Sequence, residues 1–563
     1  MSESASRLLN QASLPGAASA SGGWILNSWW DQLLIVSTPL VVVPIVFLLS
    51  SSWVGVEVDT IVIIVTAFFA LGHHLPGMIR AYGDRELFQR FRLRFIFAPL
   101  TFIAVSFPLY RYHYEVFMVT LYFWGCWHGL MQLYGFVRIY DAKVGSNAPV
   151  TVWLDWLMCL SWFPTALTFS HRRTADFLEF WYTFGGPAIP ASSVPVFRWI
   201  CLLCSVTILL AFIVNYVVQS WRGQPPNPVK LLMLSSGIGF WWFSFVYLQF
   251  SGLSVTLFEI AHDVQYMTIT WLFNCRRVKS NPEFDGFMRF VFRRGMVLLY
   301  LGLIAAYGAL GLVPSIVQDG SVFAFFNAFI LISTILHYYY DGFIWKVREK
   351  STQAALGVGA GTNVSRSTSM NGGGIPHLLK WSPMILFIGW LFVTDITDST
   401  VTAEEKKELK QLYEQQLMAS TTAPKGEARQ SWLFAEFDQV QKIAAAVPGD
   451  QDAQLRAAVM LANFGRKDEA VDLVRAFLKQ RPDSANAWLV FGEIDLSRGR
   501  PDEAFKSFES AFSCATTDRE RSTASLKQGE VYAIRKQYQS ARQKFEQALQ
   551  YNPRLKSTLD SRR

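Results

Sequence analysis

The sequence contains little charge for its length. Only 17% of its 563 residues are Asp, Glu, Lys or Arg, whereas 51% are hydrophobic and 15% are aromatic. This scarcity of charge argues against a wholly soluble protein and is typical of a polytopic membrane protein with a soluble part attached. The net charge of +8 fits the basic cytoplasmic loops of such proteins, so it does not indicate nucleic-acid binding.

Cysteine is also scarce, and the common nucleotide-binding motifs are absent. The six cysteines are scattered, and the C-x-x-C pair Cys201 and Cys204 lies in an apolar segment without a second pair. This distribution favours neither a disulfide framework nor a zinc site. The sequence has no G-x-G-x-x-G, P-loop, C-x-x-C-H or G-x-S-x-G motif, which argues against nucleotide binding, covalently attached haem and serine hydrolysis.

Long apolar segments dominate the chain up to residue 397. A helix needs about 20 apolar residues to cross the hydrocarbon core of a bilayer. The sequence therefore predicts an all-α fold, with a polytopic transmembrane bundle of about eleven spans over 32–397. The polar lead over 1–31 lacks the basic start of a signal peptide, so we expect it to be disordered. The predicted spans are 32–51, 58–79, 93–110, 115–138, 149–169, 194–219, 228–250, 254–275, 289–313, 321–345 and 380–397.

The positions of lysine and arginine predict how this bundle is oriented. Most of these residues follow even-numbered segments, as in the basic stretches 80–94 and 276–294. Because cytoplasmic loops carry the excess of positive charge, the N-terminus is expected in the cytoplasm. Eleven spans would then place the C-terminal region outside the cytoplasm. We expect an integral multi-pass protein of a bacterial-type inner membrane.

The chain changes character after the last predicted span. A Gly/Ser-rich stretch over 351–376 predicts a flexible loop, and 398–427 predicts a charged helical linker. Over 428–563 the residues Gly465, Glu469 and Ala470 recur 34 positions later as Gly499, Glu503 and Ala504. This pattern resembles the tetratricopeptide repeat, an α-solenoid that usually docks a protein partner. The predicted repeats are 451–484, 485–518 and 522–555.

Histidine occurs in four of the predicted spans, together with carboxylates at helical spacing. Glu259 and His262 are three residues apart and share a helix face, which is how helical bundles present a carboxylate and an imidazole to one metal ion. His337 and Asp341 are four apart and share a face in the same way. Ionisable groups inside a membrane are costly, so each of them indicates function.

These histidines also fall at a common depth. Counted back from the basic end of each span at 1.5 Å per residue, they lie about 9 to 21 Å from the cytoplasmic boundary. We therefore predict one metal site. Its candidate ligands are His73, His74, His128, His262, His337, Glu259 and Asp341. Glu259, Asp341 and Tyr266 are also candidate catalytic residues, and Gln132, Asp263 and Gln265 are expected to orient the ligands.

Two other interpretations of the polar residues stay open. Histidines can hydrogen-bond across a membrane bundle without binding anything, and the same residue types can relay protons or ions in a transporter. Four helices that carry imidazoles, with carboxylates at helical spacing, favour a metal or redox site over both. Haem ligation by paired histidines and other transition metals are also compatible with the sequence, although carboxylates favour harder metal chemistry.

The bundle resembles the polyhistidine membrane-bound non-haem iron enzymes. These are the fatty-acid desaturases, the hydroxylases and the bacterial beta-carotene dioxygenase-like group. The motifs that carry the resemblance are the His73–His74 pair, WHGLMQLYG around His128, EIAHDVQY around His262 and HYYYD from His337. The H-x-x-x-H and H-x-x-H-H clusters of desaturases are missing. The resemblance implies one or two irons, dioxygen, and a lipid or isoprenoid substrate.

Taken together, the sequence favours an enzyme. The preferred hypothesis is an integral membrane, metal-dependent oxidoreductase, with di-iron or mononuclear iron, that acts on a lipid or another hydrophobic substrate. The repeats would dock a protein partner. The alternatives are a transporter or export-system component, in which the buried His, Asp and Glu relay ions, and a membrane-anchored repeat scaffold in which these residues are structural.

Overall fold

A computed structural model shows the arrangement of the helices. It describes residues 23–51, 53–183, 189–190, 192–248, 251–280, 286–293, 295–316, 320–345, 352, 356, 382, 385–394, 440–447, 450–463 and 465–552. Within these ranges the chain is helical and forms no β-strand, which confirms the all-α prediction. The predicted flexible loop over 351–376 and linker over 398–427 lie almost wholly outside the described residues, as does most of the predicted N-terminal lead.

The chain divides into two compact units. The first, here the bundle unit, comprises Met1–Ser170 and Phe197–Ala403, and the second, the repeat unit, comprises His171–Val196 and Glu404–Arg563. The helices of the bundle unit are α1 (Ser28–Asp31), α2 (Thr38–Ser50), α3 (Val58–Ile64), α4 (His74–Gly83), α5 (Arg85–Tyr112), α6 (Tyr114–Lys143), α7 (Pro149–Phe169), α9 (Ser193–Trp221, which begins in the repeat unit), α10 (Val229–Trp242), α11 (Ser251–Ser280), α12 (Gly286–Val291), α13 (Val297–Gly308), α14 (Val313–Ile316), α15 (Gly320–Ile344) and α16 (Ile385–Thr394).

Fewer helices than predicted can cross a membrane. Within the described residues, five are long and apolar enough, or six if the pair Ser28–Val36 and Thr38–Ser50, bent by 58°, counts as one span. The prediction of about eleven spans is therefore wrong. Helices α6 and α11 are each 30 residues long, but they carry the polar residues of the predicted site, which lower their hydropathy. Helix α13 is only 12 residues long.

A break between α3 and α4 positions the first histidines. The π-helical segment Val65–Leu71 continues α3, and a turn at Gly72 and His73 leads into α4. Because π turns widen a helix locally, such segments are frequent at functional sites. Helix α13 packs closely here, since a Cβ at Gly308 would lie 2.7 Å from the carbonyl oxygen of Ala67. Small residues permit this kind of close helix contact in membranes.

A buried ion network joins α6, α7 and α10. Arg138 donates to Asp155 at 2.6 Å and to Asp141 at 3.0 Å, and Lys230 donates to the same two carboxylates at 2.9 and 2.7 Å. Asp141 and Asp155 are fully buried, and Lys230 is 1% exposed. Two cations balance two anions, which makes the burial of these charges tolerable.

Within the described residues, the repeat unit contains three consecutive helix pairs, one short helix before them and an additional helix from earlier in the chain. That additional helix, α8 (His171–Thr183), packs its Ala175 and Leu178 into the core of this unit. Arg456 donates to Glu179 at 3.2 Å. The remaining helices are α17 (440–446), α18 (Gln451–Asn463), α19 (Lys467–Gln480), α20 (Ala485–Ser497), α21 (Pro501–Cys514), α22 (Asp518–Ile534) and α23 (Tyr538–Tyr551).

The helix pairs pack through glycines at matching positions. A Cβ at Gly492 on α20 would lie 2.4 Å from the Phe508 ring of α21, and a Cβ at Gly529 on α22 would lie 2.4 Å from the Phe545 ring of α23. In each pair, the phenylalanine ring of one helix thus packs against the backbone of the other helix at a glycine. Thr517 and Glu520 form a capping box that begins α22.

We expect Lys230→Met to destabilise the bundle unit. Removing one partner of a buried ion network leaves an uncompensated charge, which costs about 3–5 kcal/mol. The thermal midpoint of the detergent-solubilised protein should fall. Replacing the exposed Arg94 by Met is the control and should leave the midpoint unchanged. An unchanged midpoint for Lys230→Met would show that the network contributes nothing to stability.

We expect Gly492→Ala to loosen the second repeat, because the new methyl group would overlap the Phe508 ring. Overpacking of this kind costs about 1–3 kcal/mol. Hydrogen exchange followed by mass spectrometry should show faster exchange over α20 and α21. The control is Gly499→Asn, since Gly499 has a φ of +73° and no atom within 4 Å of an added Cβ, and asparagine tolerates that conformation. Equal exchange in both variants would contradict the packing role of Gly492.

Candidate metal centre

Four imidazoles meet inside the bundle unit. His73 comes from the turn before α4, His128 from α6, His262 from α11 and His337 from α15. One ring nitrogen of each lies within 4.8 Å of those of the other three. His73, His262 and His337 are at most 7% exposed. The structure thus brings together one histidine from each of the four predicted segments.

The spacing of the nitrogens fits a shared metal ion. His337 Nε2 lies 3.0 Å from His73 Nε2 and 3.0 Å from His128 Nε2. A metal ion binds imidazole nitrogen at about 2.0–2.1 Å. Two nitrogens bound at that distance, at an angle of roughly 95°, are separated by about 3.0 Å. The cluster can therefore accept one transition metal ion with little rearrangement.

The other ring nitrogen of His73 is held by the surrounding protein. His73 Nδ1 lies 2.8 Å from Asp263 Oδ1 and 3.1 Å from the carbonyl oxygen of Phe69. If Nδ1 carries the ring proton and points it at these oxygens, Nε2 is unprotonated. Its lone pair then faces the cluster. Carboxylate and carbonyl partners orient metal-binding histidines in this way. Asp263 is fully buried and lies within ion-pair distance of His73, whereas the hydrogen bond of His73 Nδ1 goes to the Phe69 carbonyl oxygen, so the orienting role of Asp263 stays a prediction.

Gln132 and Gln265 stabilise the backbone near the cluster. The Gln132 amide donates to the carbonyl oxygen of His262 at 2.9 Å and to Gln265 Oε1 at 3.2 Å. Gln265 in turn donates to the carbonyl oxygen of Ile35 at 2.7 Å. These bonds connect α6, α11 and the segment after α1. These three hydrogen bonds hold the backbone of the helix that carries His262, and none of them involves the His262 ring.

Asp341 lies beside the cluster, outside the group of four imidazoles, and its role as a ligand stays a prediction. Its Oδ2 is 3.9 Å from His337 Nε2. Its Oδ1 accepts hydrogen bonds from the Tyr266 hydroxyl at 2.9 Å and from Trp345 Nε1 at 3.1 Å. The group Tyr266–Asp341–Trp345 therefore places a hydroxyl and a carboxylate next to the imidazoles. Such groups can hold or transfer a proton there.

His74 and Glu259, both predicted as ligands, lie outside the group of four. His74 Nδ1 pairs with Ser333 Oγ at 2.9 Å, and its ring stacks on His337 with 4.7 Å between centroids. Neighbours on a helix point about 100° apart, so His73 and His74 face different partners. Glu259 is partly buried on α11, one turn before the cluster.

Several residues of the site were not predicted from the sequence. Ser333 and Tyr307 form a hydrogen bond of 2.8 Å behind His74. Gly77 allows Tyr266 to approach α4, because a Cβ there would lie 2.7 Å from the Tyr266 hydroxyl. A signal existed for two of the missed residues. Trp345 is four residues after Asp341, and Gly77 is four residues after His73, which is the spacing of neighbours on one helix face.

Comparison with known proteins identifies the C-terminal region alone. A model of the tetratricopeptide repeat family matches residues 438–485 and 455–518. No curated protein matches the chain. The C-terminal region is therefore a tetratricopeptide-repeat array, as predicted. The resemblance of the bundle to non-haem iron enzymes receives no support from these comparisons and stays a prediction.

We expect Gly77→Ala to weaken metal binding. The added methyl group would displace the Tyr266 hydroxyl and disturb Asp341 beside His337. Changes to groups that orient metal ligands typically lower metal affinity about 10–100-fold. Titration with cobalt(II), followed by its visible absorption, measures the affinity. Gly135→Ala on α6, with no atom within 4 Å of its Cβ, is the matched control. Equal affinities for both variants would contradict this prediction.

Proposed function

We propose that the bundle unit is an integral membrane, iron-dependent oxidoreductase that acts on a lipid or another hydrophobic substrate. The repeat unit would dock a protein partner. The observation that carries the proposal is the convergence of four imidazole nitrogens within 4.8 Å in the interior of the bundle unit. Polar groups at such a place need mutual partners or an ion to offset the cost of their burial.

Mutual hydrogen bonding does not satisfy these imidazoles. A neutral imidazole nitrogen either donates one proton or accepts through one lone pair. His337 Nε2 faces two other nitrogens at 3.0 Å, so it cannot form a good hydrogen bond with both. If His73 keeps its proton on Nδ1, its Nε2 is an unprotonated acceptor as well. A cation at the centre would satisfy the lone pairs at once.

The geometry favours a single metal ion over haem or a metal pair. Two axial histidines of a haem lie on opposite faces of a macrocycle, and four nitrogens this close leave no room for one. Two metals held about 3.5–4 Å apart usually share bridging ligands. The group of four contains no carboxylate. Imidazole suits zinc, copper, nickel and iron alike, and the resemblance to the polyhistidine enzymes favours iron.

The surrounding residues support oxidation of a hydrophobic molecule. Bound iron would supply the redox chemistry and the activation of dioxygen. The apolar helices exclude water from the cluster, and a hydrophobic substrate would approach it from the lipid. The Tyr266 hydroxyl and the Asp341 carboxylate, 2.9 Å apart, would hold or accept a proton next to the site.

The repeat unit supports docking of a protein partner. Helix α8, which follows α7 in the chain, packs into the core of this unit. Its Glu179 pairs with Arg456 of α18 within the repeat unit. Repeats of this family bind proteins or peptides.

Metal content tests this proposal directly. Purified wild-type protein should contain about one transition metal ion per chain, and His262→Ala and His337→Ala should each lose most of it. His113→Ala is the matched control, because His113 lies outside the group of four at the junction of α5 and α6. A folded wild type with no stoichiometric transition metal would contradict the oxidoreductase proposal and favour a structural or ion-relaying role for the histidines.

A further inference from the structure

Arg80 on α4 is a buried cation with unsatisfied donors. The residue is 3% exposed. Its guanidinium packs against two aromatic rings, with the central carbon 4.0 Å from the centroid of Phe273 and 3.9 Å from that of Trp345. Among the described residues, neither Nε nor Nη1 has a hydrogen-bond partner. A buried charged group without partners is costly, so this arrangement needs an explanation.

The aromatic rings stabilise the charge and leave the donors free. The centroids of the two rings are 5.1 Å apart, so the rings lie on neighbouring sides of the guanidinium, where cation–π attraction stabilises its charge. The N–H groups point outward from the edge of the guanidinium plane. That edge is the part of arginine that matches the oxygens of a carboxylate or a phosphate in two parallel hydrogen bonds.

The nearest carboxylates are already engaged elsewhere. Asp84 accepts from the Leu87 backbone N–H at 3.2 Å and from Arg277 Nε at 3.3 Å. Asp341 Oδ1 accepts from Tyr266 and Trp345. Neither one hydrogen-bonds Arg80. The unsatisfied N–H groups are therefore available to an anion that comes from outside the protein.

The position of Arg80 relates it to the metal centre. Arg80 is three residues after Gly77, so the two share a face of α4. Around Gly77 the Tyr266 hydroxyl, Asp341 and His337 Nδ1 lie 2.7, 3.6 and 3.8 Å from where a Cβ would be. His74, at the start of α4, is six residues before Arg80, or about 9 Å along the axis. Arg80 thus lies near the end of the apolar helix Thr60–Gly83, beyond the cluster.

We infer that Arg80 binds the oxyanion head of a single-chain amphiphile, a carboxylate or a phosphate monoester. This inference rests on the proposed function for the identity of the amphiphile as substrate. The head would lie at the end of the helix, against the edge of the guanidinium. The apolar chain would extend into the bundle toward the imidazoles, so that a carbon several bonds from the head would reach the metal centre.

Ligand binding to the protein in nanodiscs of neutral lipid tests the inference. The probes are oleate, dodecyl phosphate, oleyl alcohol and inorganic phosphate, with empty nanodiscs subtracted. Wild type should bind at least one of the two anionic amphiphiles about tenfold more tightly than oleyl alcohol, which is a difference of about 1.4 kcal/mol. The ratio of oleate to dodecyl phosphate binding identifies the head. Inorganic phosphate should bind much more weakly than either amphiphile.

Substitutions at Arg80 separate recognition of the anion from folding. Arg80→Gln should abolish the preference for an anionic head and leave oleyl alcohol binding unchanged. Arg80→Lys keeps the positive charge but cannot form two parallel hydrogen bonds to one anion. It should therefore retain part of the preference for an anionic head. The control is Arg94→Gln, because Arg94 also lies over aromatic rings but is exposed. Circular dichroism verifies that each variant is folded.

Three results would overturn the inference. They are a wild type without preference for the anionic amphiphiles, an Arg80→Gln variant that keeps the preference, and inorganic phosphate that binds as tightly as the amphiphiles. Metal content, measured on the same samples, distinguishes this failure from that of the proposed function. An Arg80-dependent preference in a protein without metal would support the anion site and contradict the oxidoreductase. A protein that contains the metal but shows no Arg80-dependent preference would support the oxidoreductase and contradict the anion site.

Discussion

The closeness of four imidazole nitrogens is the constraint on which the rest of the bundle depends. Each nitrogen comes from a different helical segment, and three of the four rings are almost fully buried. Helices that approach so closely through polar groups must be held in register by contacts elsewhere. The break at Gly72 and His73 turns the first ring inward, where Asp263 lies within ion-pair distance of it. Gly77 leaves room for the hydroxyl of Tyr266 beside the cluster.

One group of buried charges in the bundle unit is satisfied within the protein, in contrast to Arg80. The network of Arg138, Lys230, Asp141 and Asp155 balances its own charge. His337 Nε2 lies 3.0 Å from two other imidazole nitrogens, and Arg80 has two donors with no described acceptor. In our proposals the imidazoles bind a metal ion and Arg80 binds the head group of the substrate.

Helical spacing was sufficient to locate the group of histidines. It was not sufficient to determine which neighbouring residues belong to that group. Four segments with a histidine at a common depth did supply the four imidazoles, because depth follows from position along a helix. The rotation of each helix does not follow from depth. Glu259 is three residues from His262 and still lies outside the group, whereas Asp263, the next residue after His262, lies within ion-pair distance of His73. Arg80 looked like an ordinary basic flank, since only the structure shows that it is buried and packed against the rings of Phe273 and Trp345.

The number of spans and the extent of the repeat unit were less predictable. Polar site residues lower the hydropathy of α6 and α11, and one segment ends in a short helix, so apolar length alone overestimated the spans. The repeats were found because Gly465, Glu469 and Ala470 recur 34 residues later as Gly499, Glu503 and Ala504. In the structure both of these glycines have a positive φ, +80° and +73°. The amphipathic helix α8 has no repeat signature, so its place in the repeat unit appears only in the structure.

X-ray absorption spectroscopy at the edge of the metal that copurifies with the protein tests the central claim most directly. The account predicts nitrogen or oxygen ligands at about 2.1 Å, with the outer-shell scattering of four imidazole rings. A metal bound by fewer than two imidazoles, or by sulfur, would contradict it.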